Sequence, residues 1–209
     1  MTCEFFKVSV PLVIKQNLVY LILLINVIFA GRLNDPAKMA GVGLGTTMNH
    51  ILGLCILFGM NGAMDTLVSQ AHGAGNLTLC GVYLNRARVI GTLSFIPIGL
   101  ILFNVETLLL WLKQDPETVK YASQYTRHMI PALYVFNMCD LQEKFLIYMQ
   151  YPTVVAVSQA IATICHAPLC YYFVEVQGYG VIGLSYSSLI SYSAQWIFLL
   201  ILSSSKEEI

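Results

Sequence analysis

The polar side chains best suited to chemistry in this sequence come directly after a long apolar run. Residues 39–64 contain no Asp, Glu, Lys or Arg, and this run is longer than the roughly 20 residues that a helix needs to cross a bilayer. Asp65 follows, and then Thr66, Ser69 and Gln70. At about 100° per residue these four side chains fall on one side of a helix. Because lipid cannot satisfy polar groups, that side must face protein or water, and the four residues are candidates for a ligand or proton site.

A second interpretation of these four residues is structural. A glycine-rich turn, Gly73 to Asn76, begins eight residues after Asp65. Asp65 is then a helix-end residue near the membrane interface that bonds to neighbouring helices. For Thr66, Ser69 and Gln70, hydrogen bonds between helices are the first interpretation and the lining of a pathway is the second.

Three further positions are candidates. Asp140 precedes Lys144 by four residues, a spacing that predicts an ion pair on one helix; a coupling carboxylate is the alternative. His166 has a pKa range that suits proton relay, but Pro168 follows, and we expect the ring to bond a carbonyl that the proline frees. Asn26 lies on nearly the same helical face as Lys15, so a polar stripe on the first helix is predicted.

Composition fixes the class of protein. The chain has 209 residues, a mean hydropathy of +0.70 and only 11% charged residues, whereas soluble domains carry about 25%. We predict a polytopic all-α membrane protein. The zero net charge argues against a nucleic-acid partner. The six cysteines lack zinc spacing, and no nucleophile triad or phosphate loop is present, so we expect no cofactor, no metal and no enzyme.

Six apolar segments are predicted to be transmembrane helices. The fourth segment has an uncharged run of only twelve residues, between Arg127 and Asp140. If it is a helix, its ends must lie near the interface or inside the bundle. Gly41 and Gly45 form a small-residue pair that lets helices approach closely.

Residues 72–85 are predicted to be mostly loop. The domains expected are a cytoplasmic N-terminal segment (1–9), a six-helix lobe (10–202) and a polar C-terminal tail (203–209), with the helices near 10–30, 38–70, 89–105, 127–140, 152–174 and 181–202.

Several motifs together carry a resemblance to a known family. Residues 61–76, NGAMDTLVSQAHGAGN, resemble the end of the second helix of the multidrug and toxic compound extrusion (MATE) family, eukaryotic branch. Further segments resemble the family in the same order along the chain: GRL at 31–33, LNRAR at 84–88, LKQDPE at 112–117, IPAL at 130–133, LQ at 141–142 with FL at 145–146, and HAPLC at 166–170.

The resemblance implies an antiporter that exports organic cations or xenobiotics in exchange for protons or sodium. The family joins two six-helix lobes across a central cavity, and this chain resembles only the N-terminal lobe. Its implied partners are the lipid bilayer, a small organic cation, and a second lobe or second copy. The implied location is the plasma membrane or a vacuolar or other endomembrane, with both termini cytoplasmic.

The resemblance also bears on coupling. The coupling acids of eukaryotic members lie largely in the second lobe, and many bacterial members have an Asp where this chain has Asn26, which cannot titrate. The pathway or coupling candidates are Asn26, Asp65, Thr66, Ser69, Gln70, Asp140, Gln142 and His166. Two alternatives stay open: a half-size transporter that acts as a homodimer, and a non-transporting membrane subunit or truncated remnant that only binds a partner.

Overall fold

The computed structural model describes the backbone of residues 2–204, and their side chains except those of residues 2–5, 7, 8 and 204. Within this range the regular structure is helical, as predicted. The helices are α1 (Thr2–Gly31), α2 (Pro36–Met48), α3 (Cys55–Gly73), α4 (Leu77–Phe103), α5 (Val105–Trp111), α6 (Pro116–Tyr148), α7 (Pro152–Cys170) and α8 (Val181–Ser204). Two π-helical segments continue α2 into α3 (Asn49–Leu54) and extend α7 (Tyr171–Val176).

Five stretches of the described chain are long and apolar enough to cross a membrane: residues 9–31, 36–73, 77–103, 152–176 and 181–203. Many of their outward side chains are large and apolar, including Leu24, Leu100 and Ile164. Lipid, unlike water, accommodates such a surface. The prediction of a multi-pass all-α membrane protein is confirmed.

The central helix of the bundle is α6. It has 33 residues and packs against α2, α3, α4, α5, α7 and α8. The residues Gln114 to Glu117, QDPE, are typical of a turn followed by a helix start, and α6 begins there. Asp115 Oδ2 accepts a hydrogen bond from the Thr118 amide at 2.9 Å, and Pro116 occupies the first turn. Its polar residues are tolerated because neighbouring helices cover them, which agrees with the prediction that this segment lies inside the bundle.

The close approach predicted for Gly41 and Gly45 is confirmed. A Cβ added to Gly41 would lie 2.6 Å from Tyr121 Cβ, and one added to Gly45 would lie 2.8 Å from Tyr125 Cδ1. Both contacts are on α6, and the glycines contact successively later turns of it. Thus α2 and α6 run side by side in the same direction, and their small residues set the distance between them.

The connector predicted between the second and third segments is mostly helical. The loop predicted over 72–85 is only the turn at residues 74–76, because Asn76 Oδ1 accepts from the Leu79 amide and starts α4 at Leu77. Cys80 and Leu84 are buried by this extra part of α4. The helix that contains the first predicted segment begins earlier, at Thr2, but its membrane-spanning stretch, residues 9–31, agrees with the predicted 10–30. The predicted polar tail lies outside the described residues from position 205 onwards.

Candidate functional site

A cavity of about 570 Å³ lies between α1, the α2–α3 segment, α6 and α8. One face of α6 supplies Met129, Leu133, Phe136, Asp140 and Lys144, a spacing of three to four residues that places them in a single stripe. The volume falls in the range of roughly 300–1,000 Å³ that holds one drug-sized molecule.

An ion pair between α3 and α6 closes one part of the cavity wall. Lys144 Nζ donates to Asp65 Oδ1 at 2.7 Å and to Oδ2 at 3.0 Å. The predicted ion pair between Lys144 and Asp140 is therefore wrong. The position of Asp65, bonded to a neighbouring helix, agrees with its structural interpretation, and its carboxylate also lines the cavity.

A second ion pair joins α1 to α6. Lys15 Nζ, which lines the cavity, lies 2.7 Å from Glu143 Oε2. The Glu143 side chain is buried behind Lys15, where Gln195 Nε2 donates to its other oxygen at 2.7 Å. The same amide donates to Gln159 Oε1 at 2.9 Å, so α1, α6, α7 and α8 share one polar network.

Glu143 and Gln195 were not among the residues predicted to form the site. The signal for a network was present, because Lys15 is the one charged residue of its apolar segment and a lysine inside a membrane requires an acidic partner. Nothing in the sequence identifies which carboxylate that partner is.

Asp140 is the carboxylate of the cavity without a cationic partner. Asn61 Nδ2 donates to Asp140 Oδ2 at 2.8 Å and also lies 2.9 Å from Asn137 Oδ1. Among the described side chains, no lysine or arginine lies within ion-pair distance of Asp140. Together with the buried Glu143, this end of the cavity has three carboxylates and two lysines among the described side chains, and Asp140 is the carboxylate left without a lysine.

Aromatic rings form the wall next to Asp140. Phe136 lies one turn before it on α6 and packs edge-to-face on Phe58 of α3, with ring centroids 6.1 Å apart. It also packs on Tyr192 of α8, with centroids 5.0 Å apart. All three rings line the cavity. Aromatic faces beside an unmatched carboxylate favour a cation that carries apolar surface.

The other end of the cavity is polar but uncharged. Thr46, Asn49, His50 and Tyr125 line it. Asn49 is only 3% exposed, and its Oδ1 has no hydrogen-bond partner among the described residues. A buried amide oxygen without a donor is unusual, since such groups are nearly always bonded.

Two of the predicted site residues lie together, but away from the cavity lining. His166 is buried, with Nε2 3.0 Å from Asn26 Oδ1 and Nδ1 3.0 Å from Ser191 Oγ. The predicted bond from His166 to a carbonyl freed by Pro168 is wrong, because side chains on α1 and α8 reach the ring first. The contact joins α1, α7 and α8 through side chains.

Gln142 also contributes to the packing of helices. Its Oε1 accepts a hydrogen bond from Arg88 Nη2 of α4, and its Nε2 donates to Ser203 Oγ of α8 at 3.2 Å. The side chain is 1% exposed. Gln142 thus connects three helices, and it is separate from the side chains that line the cavity.

Thr66, Ser69 and Gln70 are exposed on α3 and do not line the cavity. The predicted bonds from Thr66 and Ser69 to other helices are not found. Instead Thr66 Oγ1 donates to the Ala63 carbonyl, and Ser69 Oγ donates to the carbonyls of Asp65 and Thr66. Hydroxyl groups in helices commonly bond to the preceding turn in this way.

The side chains of the cavity are of types that suit the binding of a ligand. Its carboxylate without a cationic partner and its aromatic wall suit a cationic ligand. Within the described residues, no three His, Cys, Asp or Glu side chains are grouped as a metal ion would require.

Comparisons with known structures show the same fold. The crystal structure of the eukaryotic MATE transporter AtDTX14 matches 99% of this chain with a TM-score of 0.91 at 21% identity, over 46% of its own chain. A MOP superfamily transporter from Pyrococcus furiosus matches 94% of this chain with a TM-score of 0.81 at 18% identity, over 43% of its own chain. Each likeness covers a little under half of the larger protein.

Sequence comparisons identify the family. Multidrug and toxin extrusion protein 1 of Xenopus tropicalis is 33% identical over 94% of this chain and 34% of its own length. Protein DETOXIFICATION 15 of Arabidopsis thaliana is 27% identical over 93% of this chain and 40% of its own length. The chain thus spans about a third to two fifths of these relatives. The MatE family model matches residues 11–172, and the chain belongs to that family.

Proposed function

We propose that this chain forms one lobe of an antiporter that exports organic cations or xenobiotics in exchange for protons or sodium. The observation that carries the proposal is the cavity, whose aromatic wall and unmatched Asp140 suit a cation with apolar surface. The names of the relatives refer to the extrusion of multidrug and toxin compounds, which agrees with a cavity of this size and chemistry.

The proposal places a second lobe, or a second copy of the chain, across this cavity. Transporters built from repeated bundles bind substrate near the membrane midplane and expose it alternately by rocking one bundle against the other. Thr66, Ser69 and Gln70 are exposed on α3, so they are available to such a partner. In this arrangement Asn26, Gln142 and His166 hold the lobe together, while Asp65 and Asp140 face the substrate.

A chimeric transporter tests the proposal. Residues 10–202 of this chain replace the corresponding part of the Xenopus relative, and the chimera is reconstituted in vesicles with an inward or outward gradient of protons or of sodium. We expect gradient-driven movement of the fluorescent cation rhodamine 6G by the chimera. We expect none by the 209-residue chain alone, because one lobe encloses only half of a cavity.

The controls distinguish the outcomes. Protease protection and size-exclusion chromatography establish that the chimera is inserted and monodisperse. Uptake by the chain alone would overturn the single-lobe proposal and favour the homodimer. A correctly inserted chimera that moves no cation under either gradient would overturn the transport function.

A further inference from the structure

A groove between α3 and α4, on the outer surface of the bundle, combines an unpaired arginine with apolar walls. Its lining includes Met60, Ala63, Leu67, Tyr83, Arg86 and Ile90. We propose that this α3–α4 groove binds one anionic phospholipid, with the phosphate on Arg86 and the upper part of an acyl chain along the apolar wall. Occupation of the groove does not depend on transport through the cavity, so failure of this proposal leaves the proposed function standing.

The shape of the groove suits a narrow chain. Its volume is about 170 Å³, which is below the roughly 300–1,000 Å³ of sites for drug-sized molecules. Ala63, Ala87 and Gly91 leave space between the two helices that larger side chains would fill. Met60 and Ile90 flank this space and are 38% and 52% exposed, so the groove is open to the surroundings of the bundle.

The polar and apolar parts of the groove follow one another along its length. The helices α3 and α4 are antiparallel, because only the turn at residues 74–76 joins them. Tyr83 therefore lies near that turn and Arg86 about midway along the groove, whereas Ile90 and Gly91 lie farthest from the turn. A headgroup near the turn and a chain beyond it match this order.

Arg86 is a cation without an acidic partner. Its side chain is exposed, and among the described side chains no aspartate or glutamate lies within ion-pair distance of it. Arg88, two residues further on, bonds to the neutral amides of Asn85 and Gln142. A phosphate group supplies the missing negative charge, and the guanidinium fork matches its oxygens with two parallel hydrogen bonds.

The position of Arg86 along α4 corresponds to the level of the lipid headgroups. Beyond it, the large outward side chains of α4 are apolar; they are Val89, Ile90, Leu93, Ile96, Leu100, Ile101 and Phe103. Phe103 is 17 residues beyond Arg86, about 25 Å at about 1.5 Å per residue. Since the hydrocarbon core is about 30 Å thick, Arg86 lies close to its edge, within reach of a phosphate.

The number of membrane crossings indicates the leaflet. The stretch at residues 9–31 crosses once and the stretch at 36–73 crosses back, so the turn at 74–76 lies on the same side as the start of α1. In the topology that the family resemblance implies, this side is cytoplasmic. The cytoplasmic leaflet is the one that contains anionic phospholipids.

The groove also stays open when a second lobe binds. Its α3 residues lie about a third of the way round the helix from the polar residues proposed to face that lobe, at about 3.6 residues per turn. The first set is Met60, Ala63 and Leu67, and the second is Thr66, Ser69 and Gln70.

Native mass spectrometry of the purified, delipidated 209-residue chain in detergent tests the proposal. The anionic probe is dioleoylphosphatidylglycerol. The reference is dioleoylphosphatidylcholine, which has the same chains and a zwitterionic headgroup. We expect the first phosphatidylglycerol to bind more tightly than the first phosphatidylcholine, and we expect inorganic phosphate not to displace it, because the acyl chain contributes to binding.

Three variants and one control separate the contributions. Arg86→Gln weakens the binding of phosphatidylglycerol about tenfold or more, because a hydrogen-bonded charge is lost. Arg86→Lys keeps the preference for the anionic lipid at lower affinity, because a point charge replaces the fork. Ala63→Phe fills the groove at an exposed position and weakens binding without a change of charge. Lys120→Gln is the control, since it removes an exposed cation at the start of α6, outside the groove, and leaves the affinity unchanged.

Equal affinities of wild type for the two lipids, or of Arg86→Gln and Lys120→Gln for phosphatidylglycerol, would overturn the assignment of Arg86. Displacement of the lipid by inorganic phosphate would show a site for anions and overturn the lipid site. If Arg86→Gln does not fold, Ala63→Phe decides: unchanged affinity for phosphatidylglycerol in this variant overturns the proposal.

Discussion

Lys144 on α6 bonds to Asp65 on α3 and not to Asp140, which lies one turn before it on its own helix. An ion pair within a helix stabilises that helix by only a few tenths of a kcal/mol, roughly 0.2–0.5. The bond to Asp65 instead joins two helices at the edge of the cavity. It also leaves Asp140 without a cationic partner among the described side chains, at the wall of the cavity.

The Lys144–Asp65 pair contributes little to stability. Its side chains are 21% and 41% exposed, and pairs that water reaches contribute about 0–1 kcal/mol. We expect Lys144→Met to lower the free energy of unfolding by less than about 1 kcal/mol, measured by denaturant titration in detergent. If the free energy of unfolding fell by several kcal/mol, the pair would be a main contributor to the stability of the fold, contrary to this account.

The Lys15–Glu143 pair contributes far more. The Glu143 side chain is 5% exposed, and its second carboxylate oxygen accepts a hydrogen bond from Gln195 Nε2. Removing Lys15 leaves a buried negative charge, so Lys15→Met destabilises the protein by about 3–5 kcal/mol.

The double variant Lys15→Met with Glu143→Gln tests the reason for this loss. It removes both charges and keeps an amide beside Gln195, so we expect it to recover most of the lost stability. The Lys144→Met variant is the matched control, because it removes a lysine from the same cavity. Equal losses for the two lysines would contradict this account.

The contact between α2 and α6 depends on Gly45. A methyl group there would lie 2.8 Å from Tyr125 Cδ1 and 3.1 Å from the Ala122 carbonyl oxygen, and overpacking of this kind costs about 1–3 kcal/mol. We expect Gly45→Ala to lower the midpoint of thermal unfolding.

Gly43→Ala is the control for that substitution. It lies on the same helix with nothing within 4 Å of its added Cβ, so the helix propensity of Ala leaves the midpoint unchanged or raises it. A midpoint that falls equally in both variants would show that chain flexibility, and not the close approach, is what Gly45 provides.

The sequence predicts the elements that short-range physics decides. The uncharged run at residues 39–64, the Asp115 cap and the Gly41 and Gly45 pair each determine a local feature, and all three are found. The ends of the helices were harder to predict from the sequence. The polar residues after Asn76 favoured a loop, but the buried side chains of Cys80 and Leu84 hold the chain in a helix.

The site was predicted only in part, because the side chains that contact one another in it are distant in sequence. Lys144 and Asp65 are 79 residues apart, and His166 and Asn26 are 140 apart. Local spacing favoured Asp140 as the partner of Lys144 and a proline-freed carbonyl as the partner of His166. In both cases packing of the bundle brought a different helix closer. Asn49 carries no sequence signal, since the burial of its Oδ1 without a hydrogen-bond partner among the described residues follows from the packing of the bundle.

The contact of Asn26 with His166 is structural, and it gives the last prediction. Asn26→Ala removes the amide oxygen at 3.0 Å from the buried Nε2 of His166 and leaves that nitrogen only the weaker contact with Cys170 Sγ at 3.3 Å, which costs about 1–3 kcal/mol. Asn17→Ala is the matched control on the same helix, because Asn17 is exposed and its side-chain bond among the described residues is to the Val13 carbonyl of the preceding turn.

Both variants are compared for stability by denaturant titration and for rhodamine 6G affinity in nanodiscs. We expect Asn26→Ala to lose stability while it keeps the affinity for the dye, because neither Asn26 nor His166 lines the cavity. An Asn26→Ala protein that is as stable as Asn17→Ala but binds the dye more weakly would move Asn26 into the substrate site. The first helix would then contribute a ligand-binding amide in place of a structural one.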